Sequence, residues 1–167
     1  MEENKPIGAD ASGFDLLTEA MRSLLNQYPG LYDDEIVKFE ELEKEYGIAF
    51  SADSGALIMN EKTSITDHVV QECQYPFFVV YRLDGRDELH KLDAQRFLDN
   101  MGKWLCKELV TVNDVEHRLK SYPPLSGDRH ITRITVMNSY GIEPSEDGTQ
   151  DWLLPVTVQY KKEFDRW

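Results

Sequence analysis

Cysteine is scarce in this chain, with 2 among 167 residues, Cys73 and Cys106, and no Cys-x-x-Cys spacing. That excludes a disulfide-dense scaffold and leaves two thiols expected to be reduced and packed. Basic residues are also short: 18 Lys and Arg stand against 31 Asp and Glu, a net charge of -13. Nucleic-acid affinity rests on cations that neutralise phosphates, so this balance argues against a DNA- or RNA-binding domain. No stretch approaches the roughly 20 apolar residues of a membrane helix. The densest run, Tyr75 to Tyr81, is strand-sized and contains Pro76. The start, Met1-Glu2-Glu3-Asn4, is acidic and lacks the apolar segment of a secretory signal. A soluble, acidic, intracellular domain is the expectation.

Catalytic signatures are missing as well. His68, His90, His117 and His130 stand singly, without HxH, HExxH or HxxxH, so the usual zinc spacings are absent and no metal ligand is assigned. Neither GxSxG, GxxxxGK[ST] nor GxGxxG occurs, which removes the serine-hydrolase elbow, the P-loop and the dinucleotide turn. Asp84-Gly85-Arg86-Asp87-Glu88 lacks the alternating oxygen ligands of a calcium loop and reads as a turn into a helix or hairpin. Glu143, Glu146, Asp147 and Asp151 could gather carboxylates for acid–base work, but an acidic solvated loop is the simpler reading. No catalytic residue and no cofactor are assigned, and the chain is expected not to be an enzyme.

What is present is a clear change of period. Ser12 is placed to cap a first helix, with Asp15 three residues on. Phe14, Leu17, Met21, Leu24, Leu25 and Tyr28 follow at helical spacing until Pro29-Gly30. A second helix is expected from a cap at Asp93, with Ala94, Phe97, Leu98, Met101, Trp104 and Leu105 on one stripe; Gly102 inside it would permit close approach to a sheet. From Val69 to Leu83 the period is two, and odd positions carry Val69, Gln71, Cys73, Tyr75, Phe77, Val79, Tyr81 and Leu83. Pro76, with no amide donor, should lie at an edge, a bulge or a bend. Asp151 to Lys161 alternates most cleanly, and His130 to Met137 reads as its hairpin partner across the turn-rich stretch Asn138 to Gln150. Glu35 to Phe39 and Glu116 to Lys120 are weaker strands, the second stopped by Tyr122-Pro123-Pro124. The order helix, strands, helix, strands predicts an α+β fold: a mostly antiparallel sheet, two main helices on one face, and a long β-hairpin arm. Residues 1–12 are expected to be a flexible N-terminus and 13–167 a single α+β domain.

Charge is uneven. Residues 1–60 hold 13 acidic and 4 basic residues, and the acids crowd between Asp33 and Glu45 around Ile36, Val37, Phe39 and Leu42. This is either a solvated acidic face, a surface kept clear of DNA, or one offered to a basic partner.

Several local strings carry a resemblance. They are Gly47-Ile48-Ala49-Phe50 with Ser54-Gly55-Ala56, then Ser64-Ile65-Thr66-Asp67 leading to Gln74-Tyr75-Pro76-Phe77 and Val79-Val80-Tyr81-Arg82. Tyr122-Pro123 follows the Trp104 helix, then Asp147-Gly148-Thr149-Gln150-Asp151-Trp152, Val158-Gln159-Tyr160 and Phe164-Asp165-Arg166. Over about Phe14 to Arg166 the chain resembles the tail terminator (tail-completion) and related minor capsid or tail-component proteins of tailed phages and prophages of Gram-positive bacteria. The resemblance implies a structural virion protein without catalytic residues. Such a subunit closes into a ring, a hexamer, at the head-proximal end of the tail, stops tube growth and joins the head connector. Its implied partners are further copies of itself, the tail tube protein and the connector proteins, with DNA as passing cargo rather than a ligand and no membrane. It would act in the host cytoplasm during assembly and afterwards in the virion.

Ring closure needs head-to-tail contacts. The segment from Ser64 to Gln74 is expected to cross to a neighbour, with Ser64, Ile65, Thr66, Gln71 and Gln74 as interface candidates. Glu40, Glu41 and Glu43 are candidates for a lumen that DNA traverses without sticking; reversing all three charges would then hinder passage and leave the fold intact. The alternative reading is an acidic regulatory module, a DNA mimic or an inhibitor of a basic partner. An enzyme with a dispersed site is a third, and would require a pocket with convergent polar groups.

Overall fold

The computed structural model describes residues 5–32, 35–42, 46–84 and 88–166, with the side chains of 88–90 outside the description. In chain order the elements are β1 (Gly8–Ala9), α1 (Ala11–Leu25), β2 (Lys38–Phe39), β3 (Gly47–Ala52), β4 (Leu57–Thr63) and β5 (His68–Asp84). There follow α2 (Glu88–Leu105), β6 (Val110–Val112), β7 (Val115–His117), β8 (Arg129–Val136), β9 (Tyr140–Gly141) and β10 (Thr149–Asp165). The fold is α+β, as the change of period predicts. Strands β1, β4, β5, β10 and β8 lie side by side, β3 joins β5, and β2 is the parallel neighbour of β3.

Two 17-residue strands make the spine. β5 and β10 pair antiparallel along their whole length, from Asp84 opposite Thr149 to His68 opposite Asp165. Odd positions of β5 and even positions of β10 therefore share one face, and Phe77 with Val156, Val79 with Leu154 and Tyr75 with Val158 are all buried there. Both helices cover that face. Phe14 of α1 lies 6.0 Å from the ring of Tyr75, and Thr18 hydrogen-bonds the Tyr75 hydroxyl at 2.8 Å. Gly102 of α2 sits so close that a methyl group there would come within 3.2 Å of Val136. Leu17, Met21, Leu24, Leu98, Met101 and Leu105 complete one apolar cluster with the strands.

The other edge of β5 is shared. β3 pairs with Phe77 to Arg82, and β4 with Val69 to Gln74. Pro76 falls at the hand-over, where its carbonyl accepts from the Asp53 amide at 2.9 Å. A strand residue turns its nitrogen and its carbonyl to the same side, so the missing donor points into the gap between β3 and β4. Proline thus occupies a central strand, contrary to an edge position, because no partner there requires its amide.

Several expectations are corrected. The N-cap of α1 is Asp10, whose carboxylate accepts from the Gly13 amide at 3.2 Å, and Ser12 lies inside the first turn. The predicted loose segment gives way from Gly8 onward, since β1 pairs with β4 and Asp10 is buried. α2 begins at Glu88 and contains Asp93. Its apolar stripe starts later, at Ala94, with Leu92 before it left exposed. Of Glu35 to Phe39 only Lys38–Phe39 is strand. Glu116 to Lys120 shrinks to β7, hairpinned to β6 through Asn113-Asp114, both at positive φ (50° and 65°), the pair a tight two-residue turn demands. β3 and β4, not anticipated as strands, are held by pairing to β5.

Candidate assembly surfaces

At one end of the sheet β4 and β5 form a hairpin whose turn is Ser64 to Asp67. The turn is tied within itself: the Ser64 amide donates to the His68 carbonyl at 2.9 Å, Asp67 to the Ser64 carbonyl at 3.0 Å, and the Ser64 and Thr66 hydroxyls meet at 3.0 Å. Asp67 adopts φ 61°, which turns the chain back into β5. The consequence is that Ile65 is held fully exposed at the tip. An ordered turn that presents a branched apolar side chain to water gains nothing for the monomer.

The arm is not a free hairpin. β10 flanks β5 to its end, and the Arg166 amide donates to the Asp67 carbonyl at 3.1 Å. Arg166 Nη2 also reaches Glu61 Oε2 at 3.2 Å, and Gln71 Nε2 donates to Glu61 Oε1 at 2.8 Å. His68 bridges Asp165 (Nδ1 to Oδ1, 2.8 Å) and Glu163 (Nε2 to Oε2, 3.4 Å). The hydrogen bond to Asp165, with Glu163 adding to it, holds the imidazole pKa above its usual value against an opposing desolvation.

Of the expected interface residues, Ser64, Ile65 and Thr66 gather at the tip. Gln71 instead points inward, buried against Glu61, with its Oε1 buried and without a hydrogen-bond partner. Gln74 belongs to the face opposite the helices, a position set by the alternation of β5. The same face carries Phe78 and Val80 beside Leu153 and Pro155, all half-buried, with Tyr140 opposite Leu153 and exposed Met137 bonded through its amide to the Pro155 carbonyl. One face of the sheet is thus packed by helices, and the other presents apolar side chains to its surroundings.

The acidic candidates separate. Glu40 Oε1 accepts from Ser51 Oγ and from the Ala52 amide, each at 2.9 Å, and so braces the end of β3. Reversing its charge would remove the acceptor of both bonds, so a substitution at Glu40 acts on the end of β3 as well as on surface charge. Glu41 is exposed and lies 3.6 Å from Lys38. Glu43 lies outside the described residues.

A buried ionic group lies under the N-terminus of α1. Arg129 donates from Nη2 to Asp10 Oδ1 at 2.7 Å and from Nε to Oδ2 at 2.9 Å, and the Tyr160 hydroxyl adds 2.8 Å to Oδ2. Lys162 stands 3.8 Å from Oδ1. Burial raises the Asp10 pKa, but the bonds from Arg129 and Tyr160 and the two cations outweigh it, so the carboxyl sits below its usual value. Burial, reinforced by the bond to Asp10, pushes the Tyr160 phenol strongly up. Every oxygen of Asp10 is engaged, so the group caps a helix and ties β8 and β10 to it; no reacting position is left beside it. Burial likewise raises the Cys73 thiol to about 11, which keeps it protonated and unreactive. Among the described residues no three His, Cys, Asp or Glu side chains converge as a metal site, and no helix is long and apolar enough to cross a membrane.

Comparison with protein-family models and with curated proteins finds no match to the chain.

Proposed function

We propose that this chain is a structural assembly subunit of a tailed phage or prophage, one that closes head to tail with copies of itself at the head-proximal end of a tail, ends tube growth and receives the head connector. The observation that carries this reading is Ile65, fully exposed on a turn that four internal bonds hold in place. Burial in a neighbour is the use such a residue has, since fully burying one aliphatic side chain is worth about 1.5–3 kcal/mol. The apolar face around Phe78, Val80, Leu153 and Pro155 supports it by offering a second copy a surface distinct from the tip, as a heterologous contact requires. The tail-terminator part of the reading rests on the sequence resemblance, and no catalytic role is assigned.

Multi-angle light scattering of the full chain over a concentration series, with negative-stain imaging of the largest species, tests it. A closed ring with a central hole is expected, and Ile65→Asp should leave circular dichroism unchanged while abolishing the ring. A chain that stays monomeric at every concentration and does not seat on purified tail tubes overturns the reading. Salt-sensitive one-to-one binding of a basic protein would then favour the acidic regulatory module.

A further inference from the structure

At the end of β5 opposite the arm tip, a cavity of about 870 Å³ opens between the sheet and α2. That volume lies in the range of sites that enclose a small ligand or a side chain, about 300–1,000 Å³. Its floor is aromatic: Tyr81 and Phe97 meet edge to face at 5.0 Å. Tyr32 and Tyr46, both exposed, stand at its mouth. Gly47, Ala94 and Gly148 are small enough to leave the space open.

The charged groups around this floor are mostly carboxylates. Glu35, Asp84, Asp93 and Asp147 line the cavity, against one guanidinium among the described lining residues, Arg82. That guanidinium is engaged by Asp151 through bonds of 2.7 and 3.0 Å. Glu35 also organises the aromatic wall. Its Oε1 accepts from the Tyr32 amide at 2.9 Å and its Oε2 from the Tyr81 hydroxyl at 3.1 Å, so one carboxylate fixes two tyrosines. Asp93 and Phe97 lie one turn apart on α2, which puts an acid and a ring on the same face of the helix. Asp147 is held ionised, its pKa drawn down to about 2 by bonds from the Ser145 hydroxyl and from the Thr149 amide and hydroxyl.

Ring faces and carboxylates attract the same thing. A cation over an aromatic face is drawn to the negative quadrupole, and an apolar stem beneath the charge covers the rings. A carboxylate or phosphate ligand would meet a lining in which acids outnumber the cation. The geometry points to this cavity as a binding site for an organic cation with an apolar stem, the side chain of an arginine or lysine presented by a partner protein or, with the same chemistry, a free polyamine. The inference stands on the cavity and is independent of ring assembly, which is assigned to the arm tip and to the sheet face opposite the helices.

Titration of the ¹⁵N-labelled full chain, followed by amide shifts, tests it with three probes: N-acetyl-arginine methylamide, its neutral isostere N-acetyl-citrulline methylamide, and spermidine. Saturable shifts are expected at Tyr32, Tyr46, Tyr81, Phe97 and Gly148 with the arginine probe and none with citrulline. Asp93→Asn combined with Asp147→Asn should weaken binding by about tenfold or more and leave circular dichroism unchanged. Tighter binding of the arginine probe than of spermidine assigns the cation to a protein partner, and the reverse order assigns it to a polyamine. Absence of localised shifts, equal shifts with arginine and citrulline, or shifts spread over the acidic surface would overturn the site.

Discussion

Around Phe77 and Val79 strand β5 is packed by apolar side chains: Phe77 lies 5.6 Å from the ring of Phe50, opposite Val156, within the cluster that Leu98 and Met101 complete. From His68 to Cys73 the same strand is met by charge and hydrogen bonds, with Glu61 on Gln71, Asp165 and Glu163 on His68, and Asp10 held between Arg129 and Tyr160 next to Cys73. One strand is therefore fastened through its middle by area removed from water, which is indifferent to pH. At its His68 end it is fastened by groups whose protonation matters. The difference leaves the body of the strand insensitive to pH and its arm end sensitive to it.

The largest expected effect tests the apolar half. Phe77→Ala should cost about 3–5 kcal/mol in urea unfolding, because the cavity it leaves is walled by both helices and the sheet. That loss should be the same at neutral and acid pH, since the neighbouring rings of Phe50 and Tyr75 carry no charge that changes over that range. A marked pH dependence would break the contrast.

Slightly smaller at neutral pH, and different in form, is Arg129→Met. It strips a buried carboxylate of its main partner, so about 3 kcal/mol should be lost. Asp10 has a folded pKa below its ordinary 3.8. The native chain therefore holds this stabilisation in full above the unfolded-state value and loses it as the pH falls through the folded one. The gap between native and variant should thus narrow on acidification below about pH 4. A gap that stays constant would mean that Arg129 acts by packing alone.

The smallest effect belongs to the arm. His68 is raised above 6.5 by its acidic partners, so its contribution is present below that value and fades as the pH climbs through the folded pKa. Amide protection of Val69 and Phe164, which face each other across β5 and β10, should fall from about pH 6 to about pH 9, and His68→Gln should remove that slope. Unchanged global unfolding over the same range would confine the effect to this end.

Much of the fold was legible because it follows local rules. The alternation at Val69 to Leu83 and Trp152 to Tyr160 marked both long strands, the stripe from Ala94 to Leu105 marked the second helix, and Gly102 marked its approach to the sheet. β3 escaped because Ile48, Ala49 and Phe50 are buried in succession, which leaves no period to detect. The site was less legible. Ile65 was within reach, as an apolar residue between Ser64 and Thr66 in a turn. Gln71 was misplaced, since its face was known but not that Glu61 would meet it there. The cavity was missed entirely, because its walls come from Tyr32, Tyr81, Phe97 and Asp147, which no single window contains.

By itself the sequence determined the class of the fold, the acidic surface and the faces of the principal strands, because periodicity and composition act within a few residues of each position. Only the tertiary structure decided that Asp10 rather than Ser12 caps the first helix, held there by an arginine 119 residues away. It alone decided that Pro76 sits harmlessly where β3 hands over to β4, that Glu40 braces a strand, and that an aromatic, acid-lined cavity closes the end of the sheet. Each of these is an encounter between distant segments, and a linear pattern records what each residue prefers but not which partner the folded chain brings to it.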